Sequence, residues 1–157
     1  MINYKSIAEQ IVSLAEEERD YVPLLSNAAA ILWQSLERIN WAGFYLADRG
    51  SLLLGPFQGK VACIRIKYGR GVCGTAASVG KTLRVDNVHE FPGHIACDSA
   101  SNSEIVVPIR QNGRTVGVLD IDSPDFSRFS EEDEAGLSEI VRAIETVADF
   151  SRLRDQD

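Results

Sequence analysis

Cysteines are few in this sequence and long apolar runs are absent, and both shortages narrow the possible classes of protein. Three cysteines, Cys63, Cys73 and Cys97, occur in 157 residues. An odd number without an export signal argues against a structural disulfide framework. The longest apolar stretches, residues 28–33 and 105–109, are much too short to span a bilayer, and the N-terminus does not resemble a signal peptide. We expect a cytoplasmic protein with no membrane partner.

Basic residues are fewer than acidic residues in this sequence. Sixteen Lys and Arg residues stand against 23 Asp and Glu residues, which leaves a formal net charge of -7. Such a surface repels polyanions at long range, so we expect no nucleic-acid partner. The sequence contains no repeats and no linker, and 45% hydrophobic with 25% charged residues is ordinary for a globular protein. The length suits one domain, which we assign to residues 1–157.

Hydrophobic spacing predicts helices at both ends of the chain and strands between them. One helix covers residues 4–14, a second follows Pro23, and a third follows the capping signal Ser130-Glu-Glu-Asp133. A short helix is predicted inside the glycine-rich stretch 69–80. Strands are predicted at residues 41–46, 52–54, 62–66, 82–85, 105–109 and 115–121. This order indicates an α+β fold, with a central antiparallel sheet of five to six strands and the N- and C-terminal helices packed on one face.

Two carboxylates lie close together on one predicted strand. Asp120 and Asp122 are separated by a single residue, so both side chains project from the same face of the sheet. Carboxylates at this distance repel each other and raise each other's pKa unless a cation intervenes. The alternative interpretation is a solvated outer face of the sheet.

Glu104 begins the partner strand, and the hairpin turn decides which face it occupies. A two-residue turn at Asn112-Gly113 places Glu104 opposite Ile121, on the wrong face. A three-residue loop, with Gly113 in the left-handed conformation, places Glu104 opposite Asp120. We favour the second register, which gathers three acids in one place and suits a ligand that carries an ammonium group.

The thiols differ in their surroundings. Cys97 lies in a long segment of low periodicity, residues 86–103, where a reactive thiol is accessible, although it could also pack as an inert small side chain. Cys73, between glycines and apolar neighbours, has a structural context, and Cys63 could face either side of its strand. Gaps of ten and 24 residues between cysteines do not suit zinc, so we expect no metal.

Several motifs together resemble one family. They are Gly55-Pro-Phe-Gln-Gly-Lys-Val-Ala-Cys63, Gly69-Arg-Gly-Val-Cys73-Gly-Thr, Phe91-Pro-Gly-His-Ile-Ala-Cys97-Asp-Ser-Ala-Ser-Asn-Ser-Glu104-Ile-Val-Val-Pro and Gly117-Val-Leu-Asp-Ile-Asp-Ser-Pro124. The sequence is similar here to the free methionine-(R)-sulfoxide reductases, which are stand-alone GAF-domain enzymes. The resemblance runs from about Trp41 to Phe129 and implies a GAF fold and a thioredoxin-dependent oxidoreductase.

The resemblance also implies a reaction. Cys97 would attack the sulfur of free L-methionine (R)-sulfoxide, release methionine and remain as a sulfenic acid. Cys63 would condense with it to a disulfide, and Cys73 is a possible alternative partner. Thioredoxin would reduce the disulfide, with electrons from NADPH through thioredoxin reductase, so no bound cofactor is implied.

The remaining site residues are assigned by the same resemblance. The acids would hold the substrate ammonium and polarise the sulfoxide oxygen, with Glu104 and Asp122 as the first two choices for proton donor. Backbone N–H groups near Ile95 and Ala96 are expected to bind the substrate carboxylate. Trp41 and Tyr45 are expected to pack against its methyl end. The full set is Cys63, Cys73, Cys97, Glu104, Asp120, Asp122, Trp41, Tyr45, Ile95 and Ala96.

Two other functions compete with this hypothesis. A GAF domain can sense a small molecule, such as a cyclic nucleotide, without catalysis. A redox sensor would form a reporter disulfide between Cys97 and Cys63 without any substrate. A homodimer through the terminal helices is also compatible with the sequence.

Overall fold

Four α-helices and six strands follow one another in the part of the chain that the computed structural model describes, residues 2–95, 97 and 99–153. In chain order they are α1 (Tyr4–Ala15), α2 (Tyr21–Ser35), β1 (Trp41–Asp48), β2 (Ser51–Gly59), β3 (Arg65–Lys67), α3 (Gly71–Val79), β4 (Leu83–Val85), β5 (Ser103–Gln111), β6 (Arg114–Ser123) and α4 (Glu131–Val147). A short 3-10 turn, Val88–Glu90, lies between β4 and β5.

All six strands belong to one antiparallel sheet in the order β3-β2-β1-β6-β5-β4. Helices α1, α2 and α4 pack together on one face, and α3 covers the opposite face. This confirms the α+β fold with terminal helices on one face. None of the described helices has the length and apolar character needed to cross a bilayer.

Alternation along β1 separates two buried clusters. Ala42, Phe44 and Leu46 face the terminal helices, whereas Trp41 and Tyr45 face α3. The whole of β1 is buried because both faces of the sheet are covered. The aromatic residues on the α3 side lie next to the site described below.

The hairpin between β5 and β6 differs from both registers considered above. Its turn has two residues, with Asn112 and Gly113 both at positive φ, and Gln111 pairs with Arg114. An irregularity follows directly, because Ile109 pairs with Gly117 and one residue of β6 is left over. The prediction that Glu104 lies opposite Asp120 is therefore wrong.

The bulge brings Glu104 opposite Asp122 instead, and Asp120 lies opposite Val106. A shift of two positions keeps a side chain on the same face of a strand, so Glu104 still joins the two aspartates. The prediction that three acids lie together is confirmed, whereas the three-residue loop from which it was derived is not present.

Several element boundaries were also wrong, and β2 in particular covers Ser51–Gly59, not only residues 52–54. Helix α2 starts at Tyr21, before Pro23, because the Asp20 side chain accepts a hydrogen bond from the Val22 N–H and proline is tolerated in the first turn. The third strand covers only Arg65–Lys67, not 62–66, because regular pairing with β2 begins at Arg65. At the other end of the chain, the capping box of Ser130 and Asp133 is present as expected.

Candidate active site

A cavity opens on the face of the sheet that α3 covers. Its walls come from β1, β5 and β6, from the first turn of α3, from residues 61, 62 and 66, and from the segment around Cys97. Eight predicted site residues line it: Trp41, Tyr45, Cys73, Ile95, Cys97, Glu104, Asp120 and Asp122. Cys63 is bonded to Cys97 of this set, and Ala96 lies outside the described residues. The geometry therefore brings together residues that are up to 81 positions apart in sequence, from Trp41 to Asp122.

A disulfide joins Cys63 to Cys97, with 5.5 Å between their Cα atoms. Cys97 lines the cavity, whereas Cys63 lies beside it, two residues before β3. Cys73 is free and buried. Of the two disulfide partners considered for Cys97, the structure shows Cys63.

The third cysteine belongs to the acid cluster. Cys73 lies in the first turn of α3, and its thiol donates a 3.7 Å hydrogen bond to Oε2 of Glu104. Burial raises the pKa of this thiol well above its usual range, and the negative charges of Asp120 and Glu104 raise it further. Cys73 is therefore protonated at neutral pH, which makes it a hydrogen-bond donor rather than a nucleophile.

The carboxylates of the cluster have strongly perturbed pKa values. Burial raises the pKa of Glu104 well above its usual range, and the neighbouring Asp120 raises it further. Burial also raises the pKa of Asp120, followed by the charge of Asp122. Within the described residues, Oδ1 of Asp120 is buried without a hydrogen-bond partner. A cluster of this kind retains protons near neutral pH, and a cation entering the cavity would release them.

The same cluster is a possible set of metal ligands. One ligand atom each from Cys73, Glu104 and Asp120 lie within 4.8 Å of one another. Among the described residues, neither His89 nor His94 belongs to this group. The expectation that the protein binds no metal therefore stays a prediction, to be tested by chelation.

The aromatic residues hold the chain next to Cys63. Trp41 and Tyr45 stack with ring centroids 5.8 Å apart, and both are buried. Trp41 Nε1 donates to the carbonyl of Lys60 at 3.1 Å, and the Tyr45 hydroxyl donates to the carbonyl of Cys63 at 2.8 Å. The polar atoms of both rings are thus used within the protein, which leaves their apolar surfaces for a ligand.

Sequence reasoning missed the cation at the cavity. Arg70 is exposed, lines the cavity and precedes the first turn of α3. The N-terminus of a helix favours an anion because its first N–H groups lack partners within the helix. The signal was available in the sequence, since Arg70 stands between two glycines at the start of a predicted helix.

His94 is a second lining residue that no role was given. Burial lowers its pKa, and the nearby His89 lowers it further, so the ring is neutral at pH 7. The two rings meet edge to face with centroids 6.1 Å apart. His94 therefore adds a neutral polar group to the wall beside Cys97.

Fold and site together define the class of protein, and a family comparison agrees. The GAF domain family model matches residues 10–147. The chain therefore belongs to the GAF domain family.

Comparison with individual proteins narrows the class. The chain is 50% identical to the free methionine-R-sulfoxide reductase of Escherichia coli, over 92% of this chain and 87% of that protein. It is 44% identical to the Saccharomyces cerevisiae protein of the same name, over 91% and 86% of the two chains. A solved structure of the free methionine-R-sulfoxide reductase of Neisseria meningitidis, in complex with its substrate, is also similar. It is 46% identical in sequence with a TM-score of 0.87, over 91% of this chain and 86% of that chain. This chain belongs to the free methionine-R-sulfoxide reductase family, and the prediction of an oxidoreductase is confirmed.

Proposed function

We propose that this protein reduces free L-methionine (R)-sulfoxide to L-methionine, with Cys97 as the nucleophile. One observation carries the proposal. Cys97 is bonded to a second cysteine and lines a cavity that is also lined by Glu104, Asp120 and Asp122. A redox-active thiol pair next to a cluster of acids suits an oxidised substrate that carries an ammonium group. The names of the Escherichia coli and Saccharomyces cerevisiae relatives, free methionine-R-sulfoxide reductase, support the same reaction.

Each part of the substrate has a counterpart in the cavity. The ammonium group binds the carboxylates of the cluster other than the proton donor, because a nearby cation favours the charged form of a carboxyl group. The methyl end packs against the apolar surfaces of Trp41 and Tyr45. The substrate carboxylate binds at Arg70 and the first turn of α3, or at the backbone near Ile95. Both ends of the amino acid are then recognised by charge, which a residue within a peptide chain would not offer.

The chemistry requires two electrons and a proton donor. The Cys97 thiolate attacks the sulfoxide sulfur and forms an S–S bond with it. The protonated oxygen then moves from that sulfur to the Cys97 sulfur as the S–O and S–S bonds break, so that methionine departs and Cys97 is left as a sulfenic acid. The thiolate of Cys63 then attacks the Cys97 sulfur. Water leaves and the disulfide forms. In sum, one sulfoxide and two thiols become one thioether, one disulfide and one water.

Glu104 is a suitable donor for the proton that the sulfoxide oxygen takes up, and Asp122 is the second candidate. Burial raises the pKa of Glu104, so the group retains its proton at neutral pH and can donate it as the S–O bond weakens. Asp122 lies directly opposite Glu104 on β6, so both candidates belong to the same part of the acid cluster.

Thioredoxin is the proposed reductant of the disulfide, with NADPH as the source of electrons through thioredoxin reductase and no bound cofactor. This cycle suits a cytoplasmic location, because that compartment keeps dithiol reductants reduced.

Chiral chromatography of racemic methionine sulfoxide tests the proposal. The folded protein is incubated with thioredoxin, thioredoxin reductase and NADPH, and Cys97→Ser serves as the control variant. We expect the R-epimer alone to disappear, methionine to accumulate and the variant to be inactive. If neither epimer disappeared, the proposal would be refuted and a non-catalytic GAF sensor would be the favoured function. Turnover by Cys97→Ser would refute the assignment of the nucleophile.

A further inference from the structure

The surface around Cys63 differs in charge from the rest of the molecule. No acidic residue occurs between Asp48 and Asp86, although the chain as a whole has a net charge of -7. Seven Lys and Arg residues occupy this stretch, and four of them lie within residues 60–70. Positive charge is therefore concentrated around one of the two bonded cysteines.

Two of these cations are available to a partner. Lys60 and Lys67 are exposed, and within the described residues neither forms an ion pair. Arg65 differs, because it pairs with Asp48 at 2.9 Å. A free positive charge at a rim accelerates association with an acidic protein.

Apolar side chains stand between these cations. Val61 is 88% exposed and Ile64 is 72% exposed, the two largest values among the exposed large hydrophobic residues of the described chain. They flank Cys63 on either side. We name Lys60, Val61, Cys63, Ile64 and Lys67 the Cys63 surface.

The backbone beneath the Cys63 surface is held in place. The carbonyls of Lys60 and Cys63 accept the hydrogen bonds from Trp41 and Tyr45, and the carbonyl of Ile64 accepts one from the N–H of Leu54 at 2.9 Å. The exposure of the apolar side chains therefore comes from an anchored segment. An anchored apolar pair with a rim of cations is a preformed surface for another protein.

Position on the sheet leaves this surface open. Strand β3 is an edge strand that pairs only with β2, and Cys63 precedes it by two residues. Cys97, by contrast, lines the cavity. Cys63 is half-buried and lies between the exposed side chains of Val61 and Ile64, so a macromolecule that binds to these side chains contacts the Cys63 segment.

We propose that the Cys63 surface is the docking site of an acidic dithiol protein of the thioredoxin kind, and that this reductant attacks the sulfur of Cys63. The inference rests on the proposed function, since it concerns the recycling half of the same reaction. The partner's thiolate forms a bond to Cys63 Sγ, the Cys63–Cys97 bond breaks, and its electron pair leaves on Cys97. The partner's second thiol then displaces the Cys63 thiolate and closes the partner's own disulfide. Cys97 is thus released directly into the cavity as the thiolate that the next substrate needs.

Trapping tests which sulfur is attacked. A thioredoxin variant that retains only its attacking cysteine is mixed with the oxidised protein, and the mixed disulfide is digested and identified by mass spectrometry. We expect the adduct on Cys63. An adduct on Cys97 would overturn the proposed direction of attack.

Kinetics test the surface itself. The variants are Ile64→Ser and Lys60→Glu/Lys67→Glu. Their matched controls, on exposed positions of the helical layer, are Val12→Ser and Lys5→Glu/Arg142→Glu. We expect kcat/KM for thioredoxin to fall about fivefold for Ile64→Ser and about tenfold for the charge reversal at low salt. Turnover driven by dithiothreitol, a small uncharged reductant, should stay unchanged in all four variants.

The outcomes separate the two proposals. Absence of turnover in the unmodified protein with dithiothreitol would contradict the proposed function. Normal dithiothreitol turnover, with kcat/KM for thioredoxin unchanged in both surface variants, would contradict the docking site alone. Sedimentation completes the test, because a dimer that Ile64→Ser dissociates would show that a second copy of this chain covers the surface instead.

Discussion

Replacing Tyr45 with phenylalanine removes one hydroxyl and leaves the ring in place. That hydroxyl donates the 2.8 Å hydrogen bond to the carbonyl of Cys63, and the residue is only 2% exposed. Burial raises the pKa of Tyr45, so the hydroxyl stays protonated and keeps donating at any pH at which the protein would be studied. The change thus tests one bond that links the wall of the cavity to Cys63, the proposed resolving cysteine.

The expected loss of stability follows from the Cys63 carbonyl, which would keep its place but lose its hydrogen-bond donor. A partly buried carbonyl without its donor costs about 1–3 kcal/mol. Taking about 2 kcal/mol, a domain of this size should lose about 4–8 °C in Tm. Calorimetry on the reduced protein measures this loss without a contribution from the disulfide.

The same substitution should affect the two steps of the reaction differently. The apolar face of the ring remains, so KM for methionine sulfoxide should change less than about twofold. Disulfide formation after one turnover should slow by up to about tenfold, because Cys63 is no longer held at its place. Quenched-flow counting of free thiols measures that step.

Tyr68 supplies the matched control. Its hydroxyl is buried and has no hydrogen-bond partner among the described residues, so Tyr68→Phe should leave Tm unchanged or raise it. An unchanged Tm in Tyr45→Phe together with a raised KM would refute the reasoning, since it would mean that the hydroxyl contacts the substrate instead.

The remaining predictions concern the thiols, the acids, the cation and the metal. Cys63→Ser should complete one turnover but lose at least about tenfold of its thioredoxin-driven steady-state rate, and an unchanged rate would favour Cys73 as the resolving thiol. Asp120→Asn should flatten the pH dependence of stability. The folded-state pKa of Asp120 is raised, so its contribution is present below pH 3.8, its ordinary pKa, and is lost as pH rises through the folded-state value. Chemical unfolding between pH 4 and 8 measures this, and an unchanged slope would contradict the buried, protonated acid. Arg70→Ala should raise KM for methionine sulfoxide about two- to fivefold with little change in kcat, and an unchanged KM would place the substrate carboxylate near Ile95. Treatment with EDTA should leave turnover intact, whereas a loss restored by a divalent cation would show that Cys73 and the acids bind a metal.

Local patterns were sufficient for most of the fold. Period-2 alternation located β1, β5 and β6, and helical spacing located α1 and α4, because burial of one face is recorded directly in the sequence. Errors concentrated at Pro23 and at residues 55–66. The Asp20 side chain caps α2 ahead of Pro23 through a local hydrogen bond, whereas pairing between strands decided the bounds of β2 and β3.

The acid cluster shows what local reasoning cannot reach. Asp120 and Asp122 share a face by spacing alone, but Glu104 joins them through a bulge that follows the Asn112-Gly113 turn. A bulge adds one residue to one strand and has no simple signature in a single sequence. Either of the two regular turns considered would have paired Glu104 with a different residue.

The sequence by itself determined the class of fold and the family, and it supplied the residues that are proposed to react, because residue types, periods and motifs are local properties. Only the tertiary structure decided that Cys97 pairs with Cys63, that Cys73 donates to Glu104, and that Arg70 reaches the cavity. Those relations depend on the distance between segments that are far apart along the chain. They are set by how the sheet twists, where its strands bulge and which face each helix covers.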